Sequence, residues 1–246
     1  MANTLESRGA ERPKAWLAWS SGKDSAWALH TVRRSAVAPG GAEFAFDVVA
    51  LLTTVNRTYQ RVAMHAVRES LLEMQAVAAS LPLVKVPIPS PCPNEVYEQA
   101  MSEAMERARA EGVRHVIFGD LFLEDIRAYR ERQLAQCGMT PVFPLWGRNT
   151  RELAEDMLAG GLSAYLTCVD PRQLDRGFAG RRFDRELLAA LPHEVDPCGE
   201  NGEFHTFACA GPMFREEIAV TPGEIVERDG FVFADLLPRT AAVAGC

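Results

Sequence analysis

The chain contains Ala15-Trp16-Leu17-Ala18-Trp19, followed directly by Ser20-Ser21-Gly22-Lys23-Asp24-Ser25. The first five residues have the length and apolar character of a buried strand, and a helical pattern begins directly after the loop. Small residues let such a loop curl, so several backbone N–H groups face one anion, and the helix adds the positive end of its dipole. Lys23 supplies a mobile positive charge for phosphate oxygens. The stretch predicts a phosphate-binding loop, with an ordinary strand-to-helix turn as the alternative.

The alternation of strand and helix continues to about residue 145. Further strands are predicted at 46–52, 83–88 and 113–118, and helices at 62–79, 95–111 and 124–136. Short links between them favour an α/β fold, a Rossmann-like parallel sheet with helices on both faces.

The pattern changes after Trp146, where short extended segments replace the regular alternation. Helices are predicted at 151–159 and 183–191, and extended segments at 163–169, 217–220, 224–228 and 231–236. These indicate a smaller α+β domain. We therefore divide the chain into a disordered head (1–13), a nucleotide-binding domain (14–145), a substrate-binding domain (146–238) and a tail (239–246).

Composition and charge narrow the classes of function. The chain has 246 residues, 48% of them hydrophobic, and 26 basic against 33 acidic residues give a formal net charge of −7. This balance argues against broad binding to nucleic acid or anionic membranes. No apolar run is long enough to span a bilayer, and the six cysteines form neither C-x-x-C pairs nor a zinc-type spacing. We expect a cytoplasmic protein with free thiols and no membrane partner; a homodimer is compatible with these features.

A second unusual motif covers residues 196–207. It reads Asp196-Pro197-Cys198-Gly199-Glu200-Asn201-Gly202-Glu203-Phe204-His205-Thr206-Phe207. Neighbouring carboxylates such as Glu200 and Glu203 can take a proton from an attacking ammonia or amine, or bind a cationic group. The alternative is that they cap a turn and face water. A functional and a structural role for His205 both stay open.

The two motifs together resemble one enzyme family. The loop Ser20–Ser25 looks like the S-G-G-K-D-S loop of the PP-loop ATP pyrophosphatases, with Ser21 in place of the first glycine, so Ser21 must adopt the backbone angles of that glycine. The motif at 196–207, with Gly211-Pro212-Met213-Phe214 after it, is very similar to the signature of the diphthine–ammonia ligase family of that superfamily. Weaker similarities lie at Thr53-Thr54, Met64-His65, Gly119-Asp120, Arg127, Arg130, Glu131 and Pro144-Leu145-Trp146.

The resemblance implies an AMP-forming carbon–nitrogen ligase. Such an enzyme adenylates a carboxylate with ATP, releases pyrophosphate, and lets ammonia or an amine displace AMP. It implies ATP and Mg²⁺ as cofactors, with catalysis by Lys23, Asp24, Glu200 and Glu203. The residues implied to bind ATP are Ser20, Ser21, Gly22, Lys23, Asp24, Ser25, Thr53, Gly119 and Asp120, with Asp24 also on Mg²⁺. Those implied to bind the acid or the amine are Gly199, Glu200, Asn201, Gly202, Glu203, His205 and Thr206.

Two other classes of function stay open at this point. One is a PP-loop enzyme that modifies RNA, although cysteine pairs and a basic surface are missing from the sequence. The other is a nucleotide-binding protein that senses ATP or AMP without catalysis. Within the ligase class, the acid is either diphthine in a protein or a small molecule such as a cofactor precursor.

Overall fold

The computed structural model describes residues 12–37, 44–56, 61–62 and 67–239, which form two sheets and six helices. The first sheet contains β1 (Lys14–Ala18), β2 (Asp47–Asn56), β3 (Arg61–Val62), β4 (Leu83–Ile88), β5 (His115–Ile117) and β6 (Thr140–Val142). The helices between these strands are α1 (Lys23–Val37), α2 (Glu69–Ala79), α3 (Asn94–Ala110) and α4 (Glu124–Gln136). The remaining elements are α5 (Thr150–Ala159), β7 (Ser163–Val169), β8 (Arg182–Phe183), α6 (Arg185–Ala190), β9 (Phe204–Ala210), β10 (Val220–Arg228) and β11 (Phe231–Pro238).

The first sheet has the predicted parallel α/β architecture. Its five parallel strands lie in the order β4-β2-β1-β5-β6, and the short β3 pairs antiparallel with the end of β2. The chain therefore runs outward from β1 in one direction and then returns to build β5 and β6 on the other side. Such a reversal leaves a crevice at the carboxyl ends of the two central strands, where open α/β sheets bind ligands.

The second sheet is antiparallel and is built around β7. Strand β9 pairs along β7, and β11 and β8 each pair with a short part of it, while β10 pairs with β11. Strand β9 thus carries the end of the 196–207 motif along one edge of β7.

Hydrophobic packing joins the two sheets. In β1, Trp16 belongs to one buried cluster and Leu17 to another, as expected for a strand covered on both faces. The cluster that contains Leu17 also includes Leu166 on β7 and Phe207 on β9. One continuous core therefore runs from the first sheet into the second, and the division into two domains at residue 146 stays a prediction.

Some element boundaries differ from the sequence-based predictions. Helix α2 begins at Glu69 and not at Val62, which lies in β3. Strand β6 was not predicted, since it has three residues and Pro141 interrupts its apolar pattern. Within the predicted segment 217–220, only Val220 belongs to a strand.

Some predictions cannot be compared with the structure. Met64, His65, the head up to Glu11 and the tail from residue 240 lie outside the described residues. Within the described ranges, no helix combines the length and apolarity required to cross a membrane.

Candidate functional site

A cavity of about 480 Å³ lies at the carboxyl ends of β1, β2 and β5. This volume is typical of a small-molecule site. Both motifs line it, through Ser20, Lys23, Asp24 and Ser25 of the first and Cys198, Gly199, Glu200, Phe204, His205 and Thr206 of the second. Of the other residues predicted to bind ATP, Thr53, Gly119 and Asp120 also line the cavity. One lobe of the cavity is mainly apolar and is formed by Leu52, Ile88, Tyr97, Met101, Met105, Val116 and Phe118.

The predicted phosphate loop (Ser20–Ser25) has a glycine-like backbone conformation at Ser21. Ser21 is fully buried and has a φ of 71°, in the left-handed region that glycine normally occupies. Helix α1 begins at Lys23, and the carbonyl of Gly22 accepts its first hydrogen bond, from Ala26 N–H at 3.1 Å. Gly119 at the end of β5 approaches so closely that a Cβ would lie 2.8 Å from the backbone of Asp24 and Ser25. The loop and the end of β5 are therefore in direct backbone contact.

Strand β9 holds the loop from behind. Ala208 N–H donates to Ser21 O at 2.9 Å, and Lys23 N–H donates to Thr206 Oγ1 at 3.0 Å. Thr206 was predicted to bind substrate; the structure places its hydroxyl against the loop backbone as well as in the cavity wall. The loop of the first sheet and strand β9 of the second sheet are thus joined by hydrogen bonds.

Lys23 is fully buried and held in place by acceptors on both motifs. Its Nζ donates to both carboxylate oxygens of Asp24, at 2.8 and 2.9 Å, and to the carbonyl oxygen of Cys198. The ammonium also lies 5.6 Å from the ring centroids of Phe183 and Phe204. Burial alone would lower the pKa of Lys23, but the surrounding negative groups, with Asp24 first among them, together outweigh burial and the pKa is raised. Lys23 therefore keeps its positive charge in the cavity wall.

Glu200 is presented to the cavity by a tight turn. Asp196 Oδ2 accepts hydrogen bonds from the backbone N–H groups of Cys198 and Glu200, at 3.2 and 3.0 Å. Gly199, between them, has a φ of 70°, and a Cβ there would lie 2.8 Å from the carbonyl oxygen of Phe204. The Glu200 carboxylate accepts from Leu121 N–H at 2.8 Å. Burial, with a contribution from Asp24, raises the pKa of Glu200 to about 7, so this carboxylate can exchange a proton near neutral pH.

The other predicted carboxylate, Glu203, lies behind the cavity wall. It is 2% exposed, and its Oε1 accepts from Asp196 N–H at 2.9 Å and from Asn201 Nδ2 at 3.0 Å. Its Oε2 has no hydrogen-bond partner among the described residues. Four other residues predicted to bind ATP or substrate also do not line the cavity: Ser21, Gly22, Asn201 and Gly202. The contacts of Glu203 are those of a residue that holds the turn.

His205 and Cys198 line the cavity in forms with little chemical reactivity. Burial and the nearby Lys23 lower the pKa of His205 to about 4, so its imidazole is neutral at pH 7. Burial raises the pKa of the Cys198 thiol, which keeps it protonated. Neither group is prepared for nucleophilic attack.

A second ion pair, between Arg130 and Asp120, also lines the cavity. Arg130 approaches Asp120 with Nε 2.7 Å from Oδ2 and Nη2 3.0 Å from Oδ1. Its guanidinium lies 4.4 Å from the ring centroid of Phe118. Arg127, by contrast, pairs with Glu131 on the surface of α4 at 2.8 Å. Of the two arginines singled out in the sequence, only Arg130 lines the cavity.

Asp24 can hold Mg²⁺ as predicted only if a bound ligand and water supply the remaining oxygen atoms. Within the described part of the chain, no three Asp, Glu, His or Cys side chains gather at a metal-binding distance. Mg²⁺ is often held by one or two carboxylates together with substrate phosphates and water. Asp24 lies in the cavity beside the phosphate loop, where it fits that arrangement.

Sequence reasoning missed several residues of the site. Tyr97, Met101 and Met105 of α3 line the apolar lobe, although their spacing predicts only a helix packed on the sheet. Gln75 on α2 is also buried behind the phosphate loop. Its signal in the sequence is a lone amide between apolar neighbours such as Leu72 and Ala79.

Comparison with known proteins supports the resemblance predicted from the motifs. Residues 149–235 match the family model described as Diphthamide synthase C-terminal domain. The chain is 25% identical over 191 residues to the diphthine–ammonia ligase of Bos taurus, and this match covers 72% of this chain and 70% of that protein. It is 26% identical over 191 residues to the diphthine–ammonia ligase of Homo sapiens, with the same coverage. A match of 32% over 101 residues to that of Schizosaccharomyces pombe covers 39% of this chain and 17% of that protein.

Proposed function

We propose that this chain, a relative of the diphthine–ammonia ligases, is an ATP-dependent ligase that joins ammonia or an amine to a carboxylate. The carboxylate attacks the α-phosphorus of ATP and pyrophosphate leaves, so an acyl-adenylate forms. Ammonia then attacks the acyl carbon, AMP leaves with the electrons of the broken C–O bond, and one proton is released from the nitrogen. The observation that carries the proposal is that four residues of the loop, Ser20, Lys23, Asp24 and Ser25, line the same cavity as Glu200.

The phosphate end of ATP fits the loop side of that cavity. Backbone N–H groups at the start of α1 and the ammonium of Lys23 supply positive potential for the β- and γ-phosphates. Asp24 would hold Mg²⁺, which supplies further neutralisation of phosphate charge when bound. Gly119 and Asp120 lie at the carboxyl end of the neighbouring strand β5, beside the expected position of the α-phosphate.

The adenine end of ATP fits the apolar lobe. The lobe offers apolar and aromatic surface from β2, α3 and β5 for a planar base. The Oγ1 of Thr53 is buried at its edge and has no hydrogen-bond partner among the described residues, so it is available to a polar group of the nucleoside.

Glu200 is the group that we assign to proton removal from the attacking nitrogen. Its raised pKa places the carboxylate near the proton affinity that suits a general base at neutral pH. Glu203 supports it by holding Asp196, whose side chain shapes the turn that presents Glu200. Both carboxylates were predicted as catalytic, and their contacts favour this division of roles.

The experiment that tests the proposal is product analysis. The protein is incubated with Mg-ATP, ammonium and either a diphthine-bearing protein or a panel of small carboxylic acids, and the nucleotides are separated. Formation of AMP and pyrophosphate that depends on the acid is expected. Formation of ADP would contradict the proposed chemistry, and binding of ATP without turnover for every acid would favour a sensor.

A further inference from the structure

Gln75 is a buried amide whose hydrogen-bonding groups all face the phosphate loop and its support. It is 0% exposed and lies on the buried face of α2. Its Oε1 accepts from Trp19 Nε1 at 2.8 Å, and its Nε2 donates to Ser21 O at 2.9 Å and to Ala208 O at 2.6 Å. An indole N–H only donates and a backbone carbonyl only accepts, so the chemistry of the three partners fixes which end of the amide faces which partner.

The contact with Ser21 sets the direction of one peptide group in the loop. The carbonyl of Ser21 accepts from Gln75 Nε2 and from Ala208 N–H, and neither Gln75 nor Ala208 lines the cavity. In a planar trans peptide the next N–H points the opposite way. That N–H belongs to Gly22 and faces Ser20 Oγ at 3.3 Å, and Ser20 lines the cavity. The two donors to Ser21 O therefore turn Gly22 N–H toward the side where an anion would bind.

The backbone of Ser21 makes this support necessary. A φ of 71° is costly for a residue with a side chain. A flip of the Ser21–Gly22 peptide, which changes ψ of Ser21 and φ of Gly22, would turn the Ser21 carbonyl oxygen toward the phosphates and repel them. Because glycine tolerates φ values of either sign, the chain itself does not prevent this flip, so interactions outside the loop must hold the observed orientation.

We propose that Gln75 is a positioning residue that keeps the Ser21–Gly22 peptide in its anion-binding orientation. It acts through Ser21 and does not line the cavity. This inference rests on the proposed function, because it assumes that the loop binds the phosphates of ATP. If Gln75 has this role, its loss weakens the binding of ATP and pyrophosphate, which contain phosphates, but leaves the binding of adenosine unchanged.

The test compares dissociation constants for ATP, pyrophosphate and adenosine in the wild type and in Gln75→Met. Methionine fills a similar volume without donating a hydrogen bond, so we expect ATP and pyrophosphate to bind about 10- to 100-fold more weakly and adenosine within about twofold. The matched control is Leu72→Ala, a fully buried change on the same helix that creates a cavity but removes no hydrogen bond to the loop. It should lower stability without changing the ratio of ATP to adenosine affinity.

A second variant covers the case in which Gln75→Met does not fold. Gln75→Glu keeps the size and the acceptor for Trp19, and its carboxyl group donates one hydrogen bond only when protonated. Its ATP affinity relative to wild type should therefore be higher at acid pH than at neutral pH. An unchanged affinity ratio in Gln75→Met, or a pH-independent one in Gln75→Glu, would overturn the role of Gln75. A wild type that binds neither ATP nor pyrophosphate would instead refute the proposed function.

Discussion

Lys23 and Asp24 form a pair in which each side chain restrains the other. Both carboxylate oxygens of Asp24 accept from the buried Lys23 ammonium, and the Asp24 side chain keeps 27% exposure. Removing the cation leaves a partly buried negative charge, so Lys23→Met should lower both ATP affinity and stability. We expect ATP to bind about 10- to 100-fold more weakly and the free energy of unfolding to fall by about 1–3 kcal/mol.

The double variant Lys23→Met with Asp24→Asn separates these two effects. It removes the unpaired charge, so most of the stability should return, while the ATP affinity stays low. Isothermal titration with ATP and denaturant unfolding of the same samples provide the measurement. Equal ATP affinity in the wild type and both variants would show that the loop is an ordinary turn.

Glu200 should control the pH dependence of amide formation. Since its pKa is raised to about 7 and a general base acts when deprotonated, its contribution should be lost as the pH falls through 7. Comparing the wild type with Glu200→Gln at each pH cancels the protonation of ammonia itself. The ratio of their rates should rise with pH through about 7 and reach about 10²–10⁴ above it.

Glu203→Gln is the matched control for that experiment. It makes the same chemical change three residues away, at a carboxylate that does not line the cavity. Its rate relative to wild type should show no step near pH 7. A step in the Glu203→Gln ratio, with none for Glu200→Gln, would reverse the assigned roles.

Strand β9 should belong to the proposed nucleotide site, because it is hydrogen-bonded to the loop Ser20–Ser25. Because Thr206 Oγ1 accepts from Lys23 N–H, a change in this strand should reach the phosphates through the loop backbone. Thr206→Val, which removes that acceptor but keeps the shape, should weaken ATP binding by about 10-fold, whereas Thr206→Ser should retain most of it. ATP affinities of the two variants check this. Equal binding by Thr206→Val and wild type would limit β9 to the substrate side.

Local patterns predicted the elements that depend on neighbours in sequence. The strand before Ser20 and the helix Glu124–Gln136 follow from short local patterns, which the structure confirms. Helix α1 begins at Lys23, three residues before the helical pattern predicted from Ala26. The turn that separates Glu200 from Glu203 could not be predicted, since two carboxylates three residues apart look alike until Asp196 and Gly199 fix the backbone. The role of Gln75 could not be predicted, because its hydrogen-bond partners lie 56, 54 and 133 residues away in the sequence.

The whole molecule should unfold as one cooperative unit. The same hydrophobic cluster includes Leu17 of the first sheet and Phe207 of the second, and β9 is hydrogen-bonded to the phosphate loop. Neither sheet can lose its packing without exposing part of the other. Calorimetry should show one transition whose calorimetric and van't Hoff enthalpies agree. Two resolved transitions would instead support independent domains on either side of residue 146.

Separate assays of the two half-reactions distinguish the role of Lys23 from that of Glu200. Exchange of labelled pyrophosphate into ATP in the presence of the acid reports adenylation, and amide formation with ammonium reports both steps. The wild type should perform both, and Lys23→Met should lose both. Glu200→Gln should keep pyrophosphate exchange within about threefold of wild type while amide formation falls by about 10²–10⁴. Loss of exchange and amide formation to the same extent in Glu200→Gln would contradict the assignment of Glu200 to the second step.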